Sequence, residues 1–130
     1  KTININNTSI KSCYEELNIS HGFDVGLEMS GHPDALNSIL TNIYHGGKIA
    51  LLGLLPKNTQ INWDNIIFKG LQIKGIYGRE MYETWYKIDQ LIQSGLNISS
   101  ILTHKFPIEN YKDAFEIVSS GKCGKVVMEW

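Results

Sequence analysis

Cysteine is scarce in this chain of 130 residues, and so is proline: two cysteines, Cys13 and Cys123, and three prolines. The cysteines lie far apart and form no C-x-x-C pair, which excludes a disulfide-stapled secreted fold and leaves two reduced thiols, buried or partly buried, as the expectation. No apolar run reaches the roughly 18 to 20 residues that span a bilayer, and no basic-then-apolar leader precedes a small-residue cleavage site. The chain is therefore expected in the cytoplasm, with no membrane association. An excess of either charge is also lacking, with 12 Lys+Arg against 13 Asp+Glu and a net charge of −1. Without a basic stripe there is no electrostatic footprint for nucleic acid or for an anionic lipid surface. Charged residues make up 19% of the chain and hydrophobic ones 42%, with 12 glycines. This composition fits a turn-punctuated globular fold and excludes coiled coil, collagen and low-complexity sequence. The expected partner is a small molecule or another copy of the chain. The sequence begins with Lys1 rather than Met, and is read as cut from something longer.

Hydrophobic periodicity alternates between the two regular periods. A short strand is expected over residues 1–5, a helix over 9–17, and a strand over 23–29 that stops at Ser30 and Gly31. His32, Pro33 and Asp34 then open a helix carrying Ala35, Leu36, Ile39, Leu40 and Ile43, with His45, Gly46 and Gly47 expected to close it through a left-handed glycine. Residues 48–55 (KIALLGLL) form a near-continuous apolar run, as in a parallel strand covered on both faces. A helical turn over 63–69 and a third buried strand over 71–77 follow. Residues 81–94 predict an amphipathic helix with Trp85, Ile88, Leu91 and Ile92 facing inward. An extended segment over 101–106, a helix over 108–118 and a terminal strand over 125–130 complete the pattern. Strands separated by helices imply an α/β fold with a parallel sheet.

The chemistry-bearing residues are sparse. No Gly-rich phosphate loop follows any strand, and Gly75 with Gly78 is too little for a dinucleotide fingerprint. Ligands of parallel α/β sheets bind at the carboxyl ends of the strands. Those ends are Met29 to Gly31, Gly53 to Leu55 and Ile76 to Arg79, where the glycines are either ligand-approach positions or tight turns. The four histidines, His21, His32, His45 and His104, share no i, i+4 spacing, so no metal site is expected. Asp24 and Glu28 fall on one face of a strand; a solvated or lysine-paired role is favoured over an acid/base pair. Arg79 is read as an anion ligand or a surface ion pair. No nucleophile signature is present.

The strings GFDVGLEMSG (22–31), HGGKIALLGLLP (45–56), IFKGLQIKGIYGREMYETWYKIDQLIQSGL (67–96) and ILTHKFPIENYKDAFEIVSSGKCGKVVMEW (101–130) resemble the C-terminal portion of the zinc-dependent medium-chain dehydrogenase/reductase superfamily. KGIYGREMYETWY (74–86) is similar to its threonine-oxidising branch. The resemblance implies the later part of a doubly wound Rossmann-type parallel sheet. Residues 1–100 would be a partial NAD-binding domain, and 101–130 a segment that returns to the zinc-bearing catalytic domain. In the strand order 3-2-1-4-5-6, residues 1–5, 23–29, 49–54 and 71–76 would be strands three to six. Strands one and two would be missing, which exposes sheet edges and implies a homo-oligomer.

The resemblance further implies an NAD-dependent oxidation of L-threonine at its β-hydroxyl to L-2-amino-3-oxobutanoate, with zinc polarising the alkoxide. The family's zinc ligands, proton-relay residues and phosphate loop all precede the position that resembles Lys1, so no catalytic or metal residue carries over and the chain alone is expected to be inactive. What carries over is the nicotinamide side of the pocket: the main chain of Leu52, Gly53, Leu54, Ile76 and Tyr77, with Ser30 and Gly31 lining the same cleft. A branched side chain at Gly53 is then expected to push the nicotinamide away. Two alternatives stand beside this reading: a noncatalytic binding or assembly module on a dinucleotide-domain scaffold, and another alcohol or polyol dehydrogenase of the superfamily.

Overall fold

The computed structural model describes all 130 residues, which form two compact units, Lys1–Arg79 and Glu80–Trp130. The first holds a three-stranded parallel sheet in the order β1 (Phe23–Glu28), β2 (Ile43–Leu51), β3 (Gln72–Gly75), with helix α1 (Pro33–Asn42) between the first two strands and α2 (Trp63–Phe68) between the last two. Helix α1 starts where the sequence places it. Pro33 occupies the first turn with Asp34, and the His32 side chain accepts from the Asp34 N–H, so fixed φ, charge and cap agree. The Asn62 side chain caps α2 in the same manner.

The end of α1 differs from the glycine cap expected at residues 45–47. The helix stops at Asn42, because Ile43 turns extended (φ −77°, ψ 143°) and buries its β-branched side chain, 3% exposed, in the core. The last carbonyls of the helix are satisfied by a lysine rather than by a glycine. Lys69 Nζ donates to Leu40 O and Thr41 O, both at 2.8 Å, and to Ile43 O at 3.0 Å, and burial lowers its pKa. Gly46, at φ +74°, instead forms part of an irregularity in β2. Phe23 pairs with Ile43 but Val25 with Lys48, and the Gly46 N–H donates to Lys69 O at 2.7 Å.

Leu36, Leu40, Ile43 and Ile49 form the buried cluster, against which Ile39, Leu51, Ile66 and Leu71 pack. Gly26 on β1 leaves the space that the Ile39 side chain fills. Both helices thus cover one face, whereas Val25 and Leu27 on the other are 58% and 59% exposed. The expected two-sided cover is absent because no helix of this unit crosses to that face. Strand β3 is likewise an exposed edge rather than a buried strand. Residues 1–5 form no strand, since no strand lies beside them to supply ladder bonds. The expected helix at 9–17 shrinks to a short 3-10 turn, Ile10–Cys13, capped by Ser9. Cys13 is buried and Cys123 partly so.

The second unit contains helix α3 (Glu83–Gln93), strand β4 (Leu102–Pro107), helix α4 (Tyr111–Ser119) and strand β5 (Lys125–Glu129), with β4 and β5 pairing in parallel. Gly124 enters β5 by donating its N–H to Thr103 Oγ1 at 2.9 Å, and Lys105 bridges to Glu129 at 2.8 Å. Ala114 of α4 is the buried side chain of this unit. The apolar stripe of α3 does not face inward as expected: Trp85, Ile88, Leu91 and Ile92 are 40–51% exposed, because their own unit offers that stripe little cover. No helix is long and apolar enough to cross a membrane.

Candidate site at the carboxyl ends of the parallel strands

The three parallel strands of the first unit end level with one another. Leu51 is in register with Glu28 on one side and with Gly75 on the other, so Leu52 and Ile76 are the next residues beyond a paired position. Past that point the chain leaves the ladder. The N–H groups of Leu52 and Gly53 both turn to Glu28 O, at 2.8 and 3.2 Å, and the Ile76 N–H donates to Leu51 O at 2.8 Å. Leu54 is 94% exposed and Tyr77 fully so. The structure therefore brings Leu52, Gly53, Leu54, Ile76 and Tyr77 to one edge, where strand tips present peptide groups to a ligand.

Glu28 organises this edge. It is 1% exposed, neither solvated nor paired with a lysine, in contrast to the favoured reading of its strand position. Its Oε1 accepts from the Ser30 N–H at 2.9 Å, the Ser30 hydroxyl at 2.6 Å and the Gly31 N–H at 2.9 Å. The Ser30 hydroxyl, foremost, and the peptide donors hold this carboxyl below its ordinary pKa, against burial, which pushes the other way. Its Oε2 is buried and has no hydrogen-bond partner. Asp24, four residues back, is exposed, so the two carboxylates make no acid/base pair. The local sequence carried a signal for the partners of Glu28, though not for its burial. An acid on the helix-covered face of a strand, two and three residues before Ser30 and Gly31, is placed to accept from their peptide groups.

Gly53 and Gly31 interlock. A Cβ on Gly53 would collide with Gly31 N and with Glu28 Oε2, and one on Gly31, at φ +70°, would lie 2.6 Å from Leu54 O. The Cβ direction of Gly53 thus faces the turn after β1, so added bulk there first strikes Glu28 and Gly31. An apolar cavity of about 220 Å³ is lined by Ile3, Phe23, Val25 and Ile39 among others and includes none of the strand-tip residues.

The site's donors suit some groups and not others. The N–H groups of Leu52, Gly53 and Ile76 are already held by internal carbonyls, so the strand tips offer a ligand their carbonyls and the N–H groups of Leu54 and Tyr77. This mixed set matches a carboxamide, which both donates and accepts, and so fits the nicotinamide end of a dinucleotide. A catalytic zinc needs three protein ligands, and no three His, Cys, Asp or Glu side chains converge anywhere in the chain. Zinc does not fit these residues.

Relatives share both sequence and fold. The chain is 53% identical over all 130 residues to the L-threonine 3-dehydrogenase of Chromobacterium violaceum, of which it spans 38%. It superposes with a TM-score of 0.80 on an alcohol dehydrogenase from Thermotoga maritima, at 21% identity, covering 98% of this chain and 37% of that one. With a TM-score of 0.76 and 19% identity it also matches a protein from Escherichia coli CFT073 described as a short chain alcohol dehydrogenase complexed with NADH, covering 98% of this chain and 38% of that one. The two structural likenesses show a shared Rossmann-type α/β fold. A family model described as zinc-binding dehydrogenase matches residues 1–94, and the chain belongs to that family.

Proposed function

We propose that this chain is the later part of an NAD-dependent, zinc-dependent dehydrogenase that oxidises L-threonine to L-2-amino-3-oxobutanoate, and that it supplies the nicotinamide side of the cofactor site. The observation that carries the substrate assignment is 53% identity over the whole chain to a protein named L-threonine 3-dehydrogenase. Identity to the alcohol-dehydrogenase structures is 19–21%, which supports the threonine reading over a polyol one. The neighbour complexed with NADH supports a nicotinamide cofactor.

In this reading residues 1–100 belong to the dinucleotide-binding domain, and the family match over residues 1–94 supports that limit. Residues 101–130 return to the catalytic domain. The complete protein is read as a cytoplasmic homo-oligomer; the oligomer is supported by the open edge of β3, the last strand in the sheet order.

The chemistry assigned to these residues is positioning. A bound NAD would supply the acceptor for the hydride leaving the substrate carbon, the hydroxyl proton being released to a base outside this chain, as the alcohol becomes a ketone. Leu52, Gly53, Leu54, Ile76 and Tyr77 would hold the carboxamide and its ribose by main-chain groups. The ring face turned to substrate is then set by backbone geometry, and correct placement of reacting groups contributes strongly to rate. Zinc and its ligands belong to the part of the protein outside this chain.

Hydrogen exchange on the complete protein tests the site. With NADH bound, amide exchange is expected to slow over residues 52–54 and 76–78. Protection confined to other segments would contradict the assignment.

A further inference from the structure

Glu28 is the one buried side chain with an orphaned polar atom, and it is not among the residues that would touch the carboxamide. Its two ends serve two different segments. Through its main-chain carbonyl it holds Leu52 N and Gly53 N, and through Oε1 it holds Ser30 and Gly31. Its unpartnered Oε2 lies against the Cα face of Gly53, where no side chain fits between them. Ser30 extends the arrangement, because its hydroxyl donates to Glu28 and accepts from the His32 N–H at 3.1 Å, at the cap of α1. A single residue thus joins the β1 tip, the start of α1 and the β2 tip.

We propose that Glu28 is a positioning residue for the nicotinamide dinucleotide: its buried carboxylate clamps the Ser30 and Gly31 turn against Gly53 and so fixes the line of peptides from Leu52 to Leu54. The inference rests on the placement of the nicotinamide end proposed above. It differs from ordinary core packing in what it predicts. A carboxylate that merely stabilised the fold would alter melting temperature and leave cofactor affinity in the folded protein unchanged. A clamp on the peptide line changes affinity well below the melting temperature, because loosened peptides meet the carboxamide in the wrong geometry more of the time.

The test is NADH fluorescence titration of the complete protein and three variants at a temperature where all are folded. Glu28→Gln keeps the shape and removes the charge, and is expected to raise the NADH Kd about tenfold. Ser30→Ala deletes one of the three bonds to Oε1 and is the milder variant should Glu28→Gln fail to fold; a rise of about threefold is expected. Ile43→Val trims the core away from the strand tips and is expected to lower the melting temperature with the Kd unchanged. Wild-type affinity in both Glu28→Gln and Ser30→Ala, or in Ser30→Ala alone if the other does not fold, would overturn the clamp. An equal loss of affinity in Ile43→Val would do the same. Failure of the wild-type protein to bind NADH would instead overturn the underlying nicotinamide assignment, and the clamp with it.

Discussion

Replacing Gly53 by alanine places a methyl group where Gly31 N and Glu28 Oε2 already sit. Overpacking of this kind costs about 1–3 kcal/mol, whereas Leu54→Ala, at a side chain 94% exposed, is expected to stay within about 0.5 kcal/mol. Thermal melting of the two variants checks the contrast, and equal melting temperatures would contradict the interlock. Glu28 adds a pH dependence. Its folded pKa lies below the ordinary carboxylate value, so the folded protein binds fewer protons than the unfolded chain. The stability it confers is complete above the unfolded pKa, about 4.3 for glutamate, and is lost as pH falls through the folded value. The melting-temperature gap between wild type and Glu28→Gln should be widest near pH 7 and close as the pH drops below about 4; a constant gap would refute the linkage. At this scale the sequence marked the strand-tip residues but not the inward direction of Gly53 or the burial of Glu28. Both depend on how two turns from separate strands meet, and periodicity along one strand carries no trace of that.

Lys69 is the corresponding feature for elements. Its three bonds to Leu40, Thr41 and Ile43 carbonyls end α1 and launch β2, and losing charged hydrogen bonds of this kind costs about 1.5–3 kcal/mol each at most. Lys69→Met is expected to speed hydrogen exchange in the last turn of α1 at least tenfold; unchanged exchange there would show that the cap contributes nothing. Sequence patterning located every helix and four of the five strands closely, because each carries its own period and punctuation. Its errors share one cause. The glycine cap at residues 45–47, the strand at 1–5, the full helix at 9–17, the buried β3 and the inward stripe of α3 were all inferred from local pattern. Lys69 lies 26 to 29 residues from the carbonyls it binds, and strands and stripes are buried only where another layer meets them.

For the whole molecule, the open edge of β3 leaves ladder groups that invite strand addition, whereas the edge of β1 would be taken in the complete protein by the strands outside this chain. Light scattering of the complete protein is expected to give an integral multiple of its chain mass, and a monomer at high concentration would refute the homo-oligomer. The division of labour proposed here is that this chain orients the cofactor while the rest of the protein binds zinc and performs the chemistry. The most direct test follows NADH absorbance with L-threonine and NAD, comparing the complete protein with residues 1–130 alone. The account predicts threonine-dependent NADH formation by the complete protein, abolished by zinc chelation and restored by added zinc, and none by the 130-residue chain. Activity of the isolated chain, or a zinc-loaded complete protein that leaves threonine unoxidised, would contradict it.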